Sequence, residues 1–145
     1  RKIVIDHDDS DDVLQNTFIK VWKGLEGFKE ESKLFTWIYR IATNECLGFL
    51  KQKKRRFFLP IGDVEAELSE KLGHQQSSIT SNQLEMKLQQ AILKLPEKQR
   101  LVFNMRYYDN IKYEDMSEIL GTSVGALKAS YHHAVAKVEK YITGH

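Results

Sequence analysis

The chain has 145 residues, 41% of them hydrophobic and 29% charged, which is typical of a globular protein with one ordinary domain or two small ones. No apolar run is long enough for a membrane span, no signal peptide is visible, and a single cysteine, Cys46, excludes an internal disulfide and fits a reducing cytoplasm. The net charge of +2 is unevenly distributed, because residues 1–59, 60–81 and 82–145 contribute +3, −3 and +2. Two mildly basic blocks around an acidic middle suit a nucleic-acid-binding protein with a spacer, although this pattern alone carries little weight.

The first predicted helix follows a cluster of helix-breaking residues at positions 7–12. Ser10 or Asp9 is expected to cap this helix, and Asp11 and Asp12 would complement the helix dipole in its first turn. Apolar residues recur at helical spacing: Val13, Leu14, Phe18, Val21, Trp22 and Leu25. Beside them lies one polar patch, formed by Asp12, Gln15 and Asn16. The chain also starts in mid-pattern at residues 3–5, which suggests an N-terminal truncation.

The acidic residues from Asp6 to Asp12 do not have the pattern of a metal site. An EF-hand loop starting at Asp6 would need glycine at its sixth position and glutamate at its twelfth, where the chain has Asp11 and Thr17. No histidine or glutamate lies at ligand spacing to complete another site, and no nucleophile–base pair is evident. We therefore predict no metal, no cofactor and no catalytic residue, and a metal-dependent nuclease is the least favoured function class.

A second long helix is predicted from near Lys33 to about Arg56. Its expected buried face consists of Leu34, Ile38, Ile41, Leu47 and Leu50. Aromatic residues (Phe35, Trp37, Tyr39) stand near its start, and a basic run occupies residues 51–56. In one interpretation the basic run is a solvated helix end and the aromatic rings belong to a core. In the other, the rings stack on the bases of single-stranded nucleic acid and the cations contact its phosphate backbone. The residue types alone favour neither interpretation.

The middle of the chain is predicted to be a linker with a brief helical turn around residues 64–72. Asn82 and Glu85 resemble a capping box that opens a helix through Leu95. Pro96 fits the first turn of the next helix, and a turn follows at residues 109–110. That helix carries a predicted set of core residues: Leu101, Val102, Phe103, Met105 and Tyr107. No strand pattern appears, so the predicted fold is all-α.

Two amphipathic segments around Gly121 have the pattern of a helix-turn-helix. Gly121 lies where the first segment must end in a left-handed residue, and Ser123 can cap the second segment. One apolar stripe follows the spacing of a helix: Leu120, Val124, Leu127, Tyr131, Ala134, Val138 and Tyr141. The opposite face offers Lys128, His132 and Lys137, so we interpret the second helix as a DNA-reading helix. An ordinary helical hairpin with a solvated charged face is equally compatible with this stretch alone.

The two blocks together resemble a bacterial RNA polymerase sigma factor of the small, extracytoplasmic-function (ECF) group. Residues 11–22 and 35–44, followed by the basic run, resemble the second conserved region of that family, and residues 95–134 resemble the fourth. The resemblance covers nearly the whole chain apart from the spacer. It implies an all-α fold with a region 2-like domain at 1–59, truncated at its N-terminus, a flexible linker at 60–81 and a region 4-like helix-turn-helix domain at 82–145.

The resemblance also implies roles for individual residues. Contacts with core RNA polymerase would come from Asp11, Asp12, Gln15, Asn16, Phe18 and Trp22. Contacts with the melted −10 promoter element would come from Lys29, Lys33, Phe35, Thr36, Trp37, Tyr39, Arg40, Asn44, Lys51, Lys53, Lys54, Arg55 and Arg56. Contacts with the −35 element would come from Arg106, Lys112, Tyr113, Ser123, Gly125, Ala126, Lys128, Ala129, Tyr131, His132 and His133.

The implied function is promoter recognition, melting and transcription initiation in the cytoplasm by a protein that is not an enzyme. The implied partners are core RNA polymerase, promoter DNA and an anti-sigma factor. The alternative is a free-standing helix-turn-helix regulator that binds duplex operator DNA. The reading helix departs from many family members, which have Thr, Ser, Arg and Arg at the positions of Ala126, Ala129, Ser130 and His133, and this suggests a different −35 preference.

Overall fold

The computed structural model describes residues 1–4, 6–56 and 83–144, without the side chain of Arg56. Within these ranges the protein has six α-helices and one 3-10 turn, and no strand, which confirms the all-α prediction for this part of the chain. The elements are α1 (His7–Gly24), the 3-10 turn (Leu25–Gly27), α2 (Leu34–Arg56), α3 (Gln83–Leu93), α4 (Glu97–Tyr107), α5 (Tyr113–Leu120) and α6 (Val124–Thr143). The predicted linker at 60–81, its turn at 64–72 and the Asn82 cap lie outside the described residues. None of the described helices has the length and apolar character needed to cross a bilayer.

Helix α1 is capped by Asp6 and not by Ser10 or Asp9 as the sequence suggested. The carboxylate Oδ1 of Asp6 accepts a hydrogen bond from the backbone N–H of Asp9 at 3.0 Å, and the backbone of Asp6 is extended. Ser10 lies within the helix, where its hydroxyl donates to the carbonyl of Asp6 at 2.7 Å. Several neighbouring residues were chemically able to cap, and the backbone conformation of Asp6 decided between them. Helix α1 ends at Gly24.

The apolar residues of α1 are mostly not buried. Val13 and Thr17 are its buried residues, and the hydroxyl of Thr17 donates to the carbonyl of Val13 at 2.8 Å. The predicted apolar face is otherwise turned outward, since Leu14, Phe18, Trp22 and Leu25 are exposed. The helical spacing of these apolar residues does not show which neighbour is present to cover them.

The buried face of α2 also differs from the prediction. Leu34 is exposed, Ile38, Ile41 and Leu47 are half-buried, and only Leu50 of the predicted set is buried. The other buried positions on α2 are Thr36, Thr43 and Cys46. These residues recur at helical spacing with Leu50, but a search for strongly apolar residues does not detect threonine. Cys46 packs with Val4 and Val13 in a small cluster between the N-terminal segment, α1 and α2.

Helices α3 to α6 form the C-terminal half, in which α6 packs against the other three. One buried cluster joins α3, α4 and α6 through Ala91, Ile92, Leu95, Phe103, Ala134 and Val138. A second cluster joins α4, α5 and the start of α6 through Leu101, Val102, Met105, Ile111, Met116, Ile119 and Leu127. The predicted core residues of α4 are confirmed except for Tyr107, which is exposed, and Pro96 precedes the first turn of α4 as its N-cap.

The helix-turn-helix has the predicted local geometry. Gly121 is left-handed with φ of 65°, and its N–H donates to the carbonyl of Ser117 at 2.9 Å. The hydroxyl of Ser123 accepts from the N–H of Ala126 at 3.3 Å at the start of α6. Leu127 and Ala134 are fully buried, so α6 turns the predicted stripe inward over most of its length. The exception is Tyr141, which is exposed near the C-terminus.

The two halves of the chain contact each other, a point that the sequence left open. Helix α2 packs against α5. Ile3, Tyr39 and Leu47 from the N-terminal half lie against the second C-terminal cluster, which contains Met105 and Met116. The candidate surfaces of the two halves must therefore be considered together.

Candidate nucleic-acid and protein interfaces

One surface of α1 combines exposed apolar and polar side chains. Phe18 is 65% exposed and Trp22 is 78% exposed, and Leu14 and Ile19 are about half exposed beside them. The predicted polar residues Asp11, Asp12, Gln15 and Asn16 are exposed on the same helix. Asp11 lies 3.3 Å from Nδ1 of His7, one turn earlier in the helix. A continuous set of large exposed apolar residues next to polar groups is typical of a protein-binding surface.

A cavity of about 360 Å³ lies beside the start of α2. Its lining includes Phe28, Lys29, Ser32, Trp37, Arg40 and Glu118. The rings of Phe28 and Trp37 are 5.0 Å apart between centroids. Gly24 permits this arrangement, because a Cβ atom there would lie 3.0 Å from Cζ2 of Trp37. An indole ring beside a guanidinium group can stack on and bind a flat, extruded base.

Sequence reasoning assigned no role to Phe28 and Glu118, which also line this cavity. The detectable signal for Phe28 was an aromatic residue directly after Gly27, in the short connection that precedes the aromatic start of α2. Glu118 could not have been found in this way, because it belongs to α5 in the other half of the chain.

The predicted −10 residues of α2 and the preceding loop fall into three groups. The exposed ones are Lys29, Lys33, Phe35, Arg40, Asn44, Lys51 and Arg55. Trp37, Tyr39, Lys53 and Lys54 are half-buried. Thr36 is buried, and its hydroxyl has no hydrogen-bond partner among the described residues. The side chain of Arg56 lies outside the described residues.

Several of these predicted DNA-binding groups already have acidic partners. Nζ of Lys53 lies 3.0 Å from Oδ2 of Asp9 on α1. Nζ of Lys54 lies 2.5 Å from Oε2 of Glu97 on α4. Tyr39 donates a hydrogen bond to the carboxylate of Asp109. Burial, followed by this hydrogen bond and the charge of Asp109, raises the pKa of the Tyr39 hydroxyl well above its ordinary value, so the hydroxyl stays protonated as a donor.

The first ten residues of α6 present one accessible face. Its exposed members are Gly125, Ala126, Lys128, Ala129, His132 and His133, with Ser123 exposed just before the helix. Tyr131 is half-buried, and burial raises the pKa of its hydroxyl. Small residues near the start of a helix let it approach base edges closely, and Lys128 supplies a charge for a phosphate or a guanine.

The ring of Tyr113, at the start of α5, lies close to two cationic side chains next to this face. The guanidinium of Arg106 lies 4.8 Å from the centroid of the Tyr113 ring, and Nζ of Lys128 lies 5.8 Å from it. Arg106 also donates through Nη1 to the carbonyl of Ile111 at 3.2 Å. Cation–π contacts of this kind hold flexible side chains in place, so the predicted phosphate contacts Arg106 and Tyr113 adjoin the exposed face of α6. Lys112 is exposed beside them.

The acidic residues at the start of α1 have contacts within the protein. Asp6 caps the helix, Asp9 pairs with Lys53, and Asp11 lies beside His7. Among the residues that the structure describes, no three histidine, cysteine, aspartate or glutamate side chains are grouped closely enough to hold a metal ion.

These features are typical of a helical DNA-binding protein that has a helix-turn-helix and a separate protein-binding surface. The protein-family model of Sigma-70 region 2 matches residues 1–56, and the family model of Sigma-70, region 4 matches residues 85–138. The chain is 30% identical to the ECF RNA polymerase sigma factor SigW of Bacillus subtilis, over 92% of this chain and 75% of that protein. It is also 30% identical to the ECF RNA polymerase sigma-E factor of Haemophilus influenzae, over 95% of this chain and 77% of that protein.

Two solved structures share the fold. The sigma factor RpoE of Bartonella quintana, in complex with the anti-sigma factor NepR, aligns with a TM-score of 0.73 at 20% identity, over 98% of this chain and 86% of that chain. CnrH, in complex with the cytosolic domain of CnrY, aligns with a TM-score of 0.69 at 22% identity, over 99% of this chain and 77% of that chain.

The chain belongs to the ECF family of RNA polymerase sigma factors. Its function is that of a sigma factor, which directs transcription initiation at promoters, and a free-standing regulator is not favoured. Sigma factors are DNA-binding initiation factors and not classical enzymes.

Proposed function

We propose that this sigma factor works through three surfaces on two domains, residues 1–59 and 82–145, joined by a linker at 60–81. In this proposal α1 binds core RNA polymerase, the start of α2 holds the melted −10 strand, and α6 reads the −35 element. The observation that carries the proposal is the exposed apolar and polar surface of α1, since a free-standing DNA-binding regulator has no need of it.

The −10 strand would be held by the cavity beside α2 and by the cations around it. An extruded base would enter between the ring of Trp37 and the guanidinium of Arg40, where stacking on the protein replaces stacking on the neighbouring bases of the duplex. Lys29 and the exposed basic residues Lys51 and Arg55 would follow the phosphates, with an affinity that falls as the salt concentration rises. The protein supplies binding groups here and no reacting group, so we propose a non-enzymatic role.

The location and regulation of the protein follow from the same proposal. A subunit of RNA polymerase must act where the genome is transcribed, and we therefore place the protein in the cytoplasm. RpoE of Bartonella quintana is known in complex with the anti-sigma factor NepR, and CnrH in complex with the cytosolic domain of CnrY. We propose that an anti-sigma factor likewise binds this chain.

The proposal is tested by co-elution with sigma-free core RNA polymerase on a sizing column. We expect the native chain to co-elute and the Phe18→Ala/Trp22→Ala variant to be absent from the complex, because truncation removes the exposed anchors of the α1 surface. The Asp12→Ala/Gln15→Ala variant should be absent as well. The folding stability of both variants should be close to that of the native chain, since these side chains are exposed.

The matched control is Lys23→Ala/Glu26→Ala, which changes two exposed residues at the end of α1 and in the following turn. We expect this variant to co-elute like the native chain. Binding of duplex DNA by a native chain that does not join core polymerase would instead support the free-standing regulator.

A further inference from the structure

Two neighbouring cavities lie between the N-terminal segment, α2, α3 and α4. The larger has a volume of about 360 Å³ and the smaller a volume of about 210 Å³. Lys2 and Asn104 line both cavities, so the two adjoin at these side chains. Volumes of this size are in the range of small-molecule sites, roughly 300–1,000 Å³. Among the lining residues that the structure describes, only Tyr39 belongs to the predicted DNA-binding residues.

The larger cavity has a mainly apolar wall, and we call it the apolar chamber. Its apolar lining residues come from the N-terminal segment, α2 and α4: Ile3, Ala42, Cys46, Leu101 and Met105. Burial raises the pKa of the Cys46 thiol, so the thiol is protonated at neutral pH and adds no charge to the wall. The apolar chamber therefore suits a hydrocarbon group.

The smaller cavity is polar and cationic, and we call it the cationic chamber. Its polar lining residues are Arg1, Lys2, Gln89, Arg100, Asn104 and Tyr108, and no carboxylate lines it among the described residues. Arg100 is only 6% exposed, and its Nη1 donates to the carbonyl of Leu93 at 3.3 Å, which fixes the guanidinium. A guanidinium stays charged at every accessible pH, so this chamber attracts an anion.

The ammonium group of Lys2 is held at the junction of the two chambers. Its Nζ lies 4.3 Å from the centroid of the Tyr108 ring and 3.7 Å from Oδ1 of Asp109. An ammonium group has three N–H donors, and Asp109 also accepts the hydrogen bond of Tyr39. Lys2 can therefore contact a second carboxylate without losing Asp109.

The apolar chamber also contains a buried hydroxyl that needs an acceptor. Thr43 is 1% exposed, and its Oγ1 has no hydrogen-bond partner among the described residues. Buried polar groups without partners are unfavourable and uncommon. Thr36 has the same deficit but lines neither chamber, so the unpaired hydroxyl at Thr43 is the one that a ligand in this cavity could satisfy.

We propose that the two chambers form one binding site for a small anionic amphiphile, a carboxylate that carries a single apolar chain. The carboxylate would lie at the junction, beside Lys2 and the amide of Asn104 and close to the guanidinium of Arg100. The chain would extend into the apolar chamber. The reverse orientation is disfavoured, because Asp109 lines the apolar chamber and repels an anion there.

The first test is isothermal titration calorimetry of the full chain with octanoate as the probe. Acetate provides the charged head without the chain, and 1-octanol provides the chain without the charge. We expect octanoate to bind more tightly than either compound. Along the series butanoate, hexanoate and octanoate, each buried methylene should add roughly fourfold in affinity. Absence of octanoate binding, or equal affinities for octanoate and 1-octanol, would overturn the inference.

Two variants examine the chambers separately. Ala42→Phe fills the apolar chamber, and its matched control is Ala136→Phe, which places the same side chain on an exposed position of α6. Lys2→Gln removes a charge at the junction, and its matched control is Lys98→Gln at an exposed position of α4. Ala42→Phe should weaken octanoate binding by roughly tenfold or more, because the chain loses its space.

The charge variant keeps the inference testable if Ala42→Phe does not fold. Lys2→Gln should weaken octanoate binding roughly three- to tenfold and leave the affinity for 1-octanol unchanged, because only the contact with the carboxylate is lost. Lys98→Gln should bind octanoate like the native chain. Equal losses in the two lysine variants would show a general charge effect and contradict the assigned junction.

Cys46 supplies a local readout of occupancy, because it is the single cysteine of the chain and lines the apolar chamber. Saturating octanoate should slow the alkylation of Cys46 by N-ethylmaleimide in the native chain and in Ala136→Phe. The same concentration of acetate should not change the rate. Octanoate that binds without slowing the alkylation would place its site elsewhere and overturn the assignment to this cavity.

Discussion

Gly121 shows how one residue ends α5 and begins the turn of the helix-turn-helix. Its φ of 65° lies in the left-handed region, where a side chain with a Cβ atom is strained. A Cβ atom would meet no neighbour within 4 Å at this position, so the strain comes from the backbone alone. The Gly121→Ala change is therefore a direct measure of that strain.

We expect Gly121→Ala to lower the free energy of unfolding by about 1 kcal/mol in urea denaturation. The matched control is Gly48→Ala in the middle of α2, where a Cβ atom also meets nothing within 4 Å. Because that glycine lies in a helix interior, alanine there should raise the stability by about 0.5–1 kcal/mol. A stabilising effect at both positions would contradict the role of Gly121.

At the scale of the element, α6 has one side in the core and one exposed side, which we propose binds DNA. Leu127 and Ala134 are fully buried, while Lys128 and His132 are exposed between them. The separation follows from the helical repeat, since residues three and four apart share a face. The exposed face can therefore be changed without disturbing the packing of α6 against α3, α4 and α5.

Lys128→Ala should weaken the binding of a mixed-sequence duplex DNA and reduce the slope of log affinity against log salt concentration by about one unit, as expected when one phosphate contact is removed. Lys140→Ala is the matched control, because Lys140 is an exposed lysine in the last turn of the same helix. Titrations followed by fluorescence anisotropy at several salt concentrations measure both slopes. Equal slopes for the two variants would place the DNA contact elsewhere.

At the scale of the whole molecule, the two halves are joined by charged contacts as well as apolar ones. Lys33, directly before α2, pairs with Asp115, and Lys54 of α2 pairs with Glu97. Nζ of Lys2 lies 3.7 Å from Oδ1 of Asp109. These pairs are partly exposed, so dissolved ions can screen them. The closed arrangement is therefore expected to depend on ionic strength.

Raising the salt concentration from about 0.1 M to about 1 M shortens the screening length from about 10 Å to about 3 Å. We expect the radius of gyration of the native chain to increase over this range in small-angle X-ray scattering. In an Asp109→Asn/Asp115→Asn variant the increase should be smaller, because two of these charged contacts are already absent. An increase of the same size in both proteins would show that the opening does not depend on these pairs.

Local features of the molecule were predictable from local sequence. The helices, the left-handed Gly121 and the Ser123 cap depend on residues within a few positions of each other, and the structure confirms them. The cap of α1 was misassigned to Ser10 or Asp9, because several nearby side chains can cap a helix and the extended backbone of Asp6 is not visible in the local sequence. The residues that resemble the two conserved regions indicate the correct family without any knowledge of the tertiary structure.

The amino-acid sequence by itself determined the helices, the turn between α5 and α6 and the family, because helical spacing, caps and motifs are properties of short segments. Only the tertiary structure decided that Leu34 is exposed, that Thr36 and Thr43 are buried, and that α2 packs against α5. Tyr39 and Asp109 are 70 positions apart in the chain, and no local pattern records such a contact. Burial and charge pairing depend on which distant segments meet, and that is settled by packing of the whole chain.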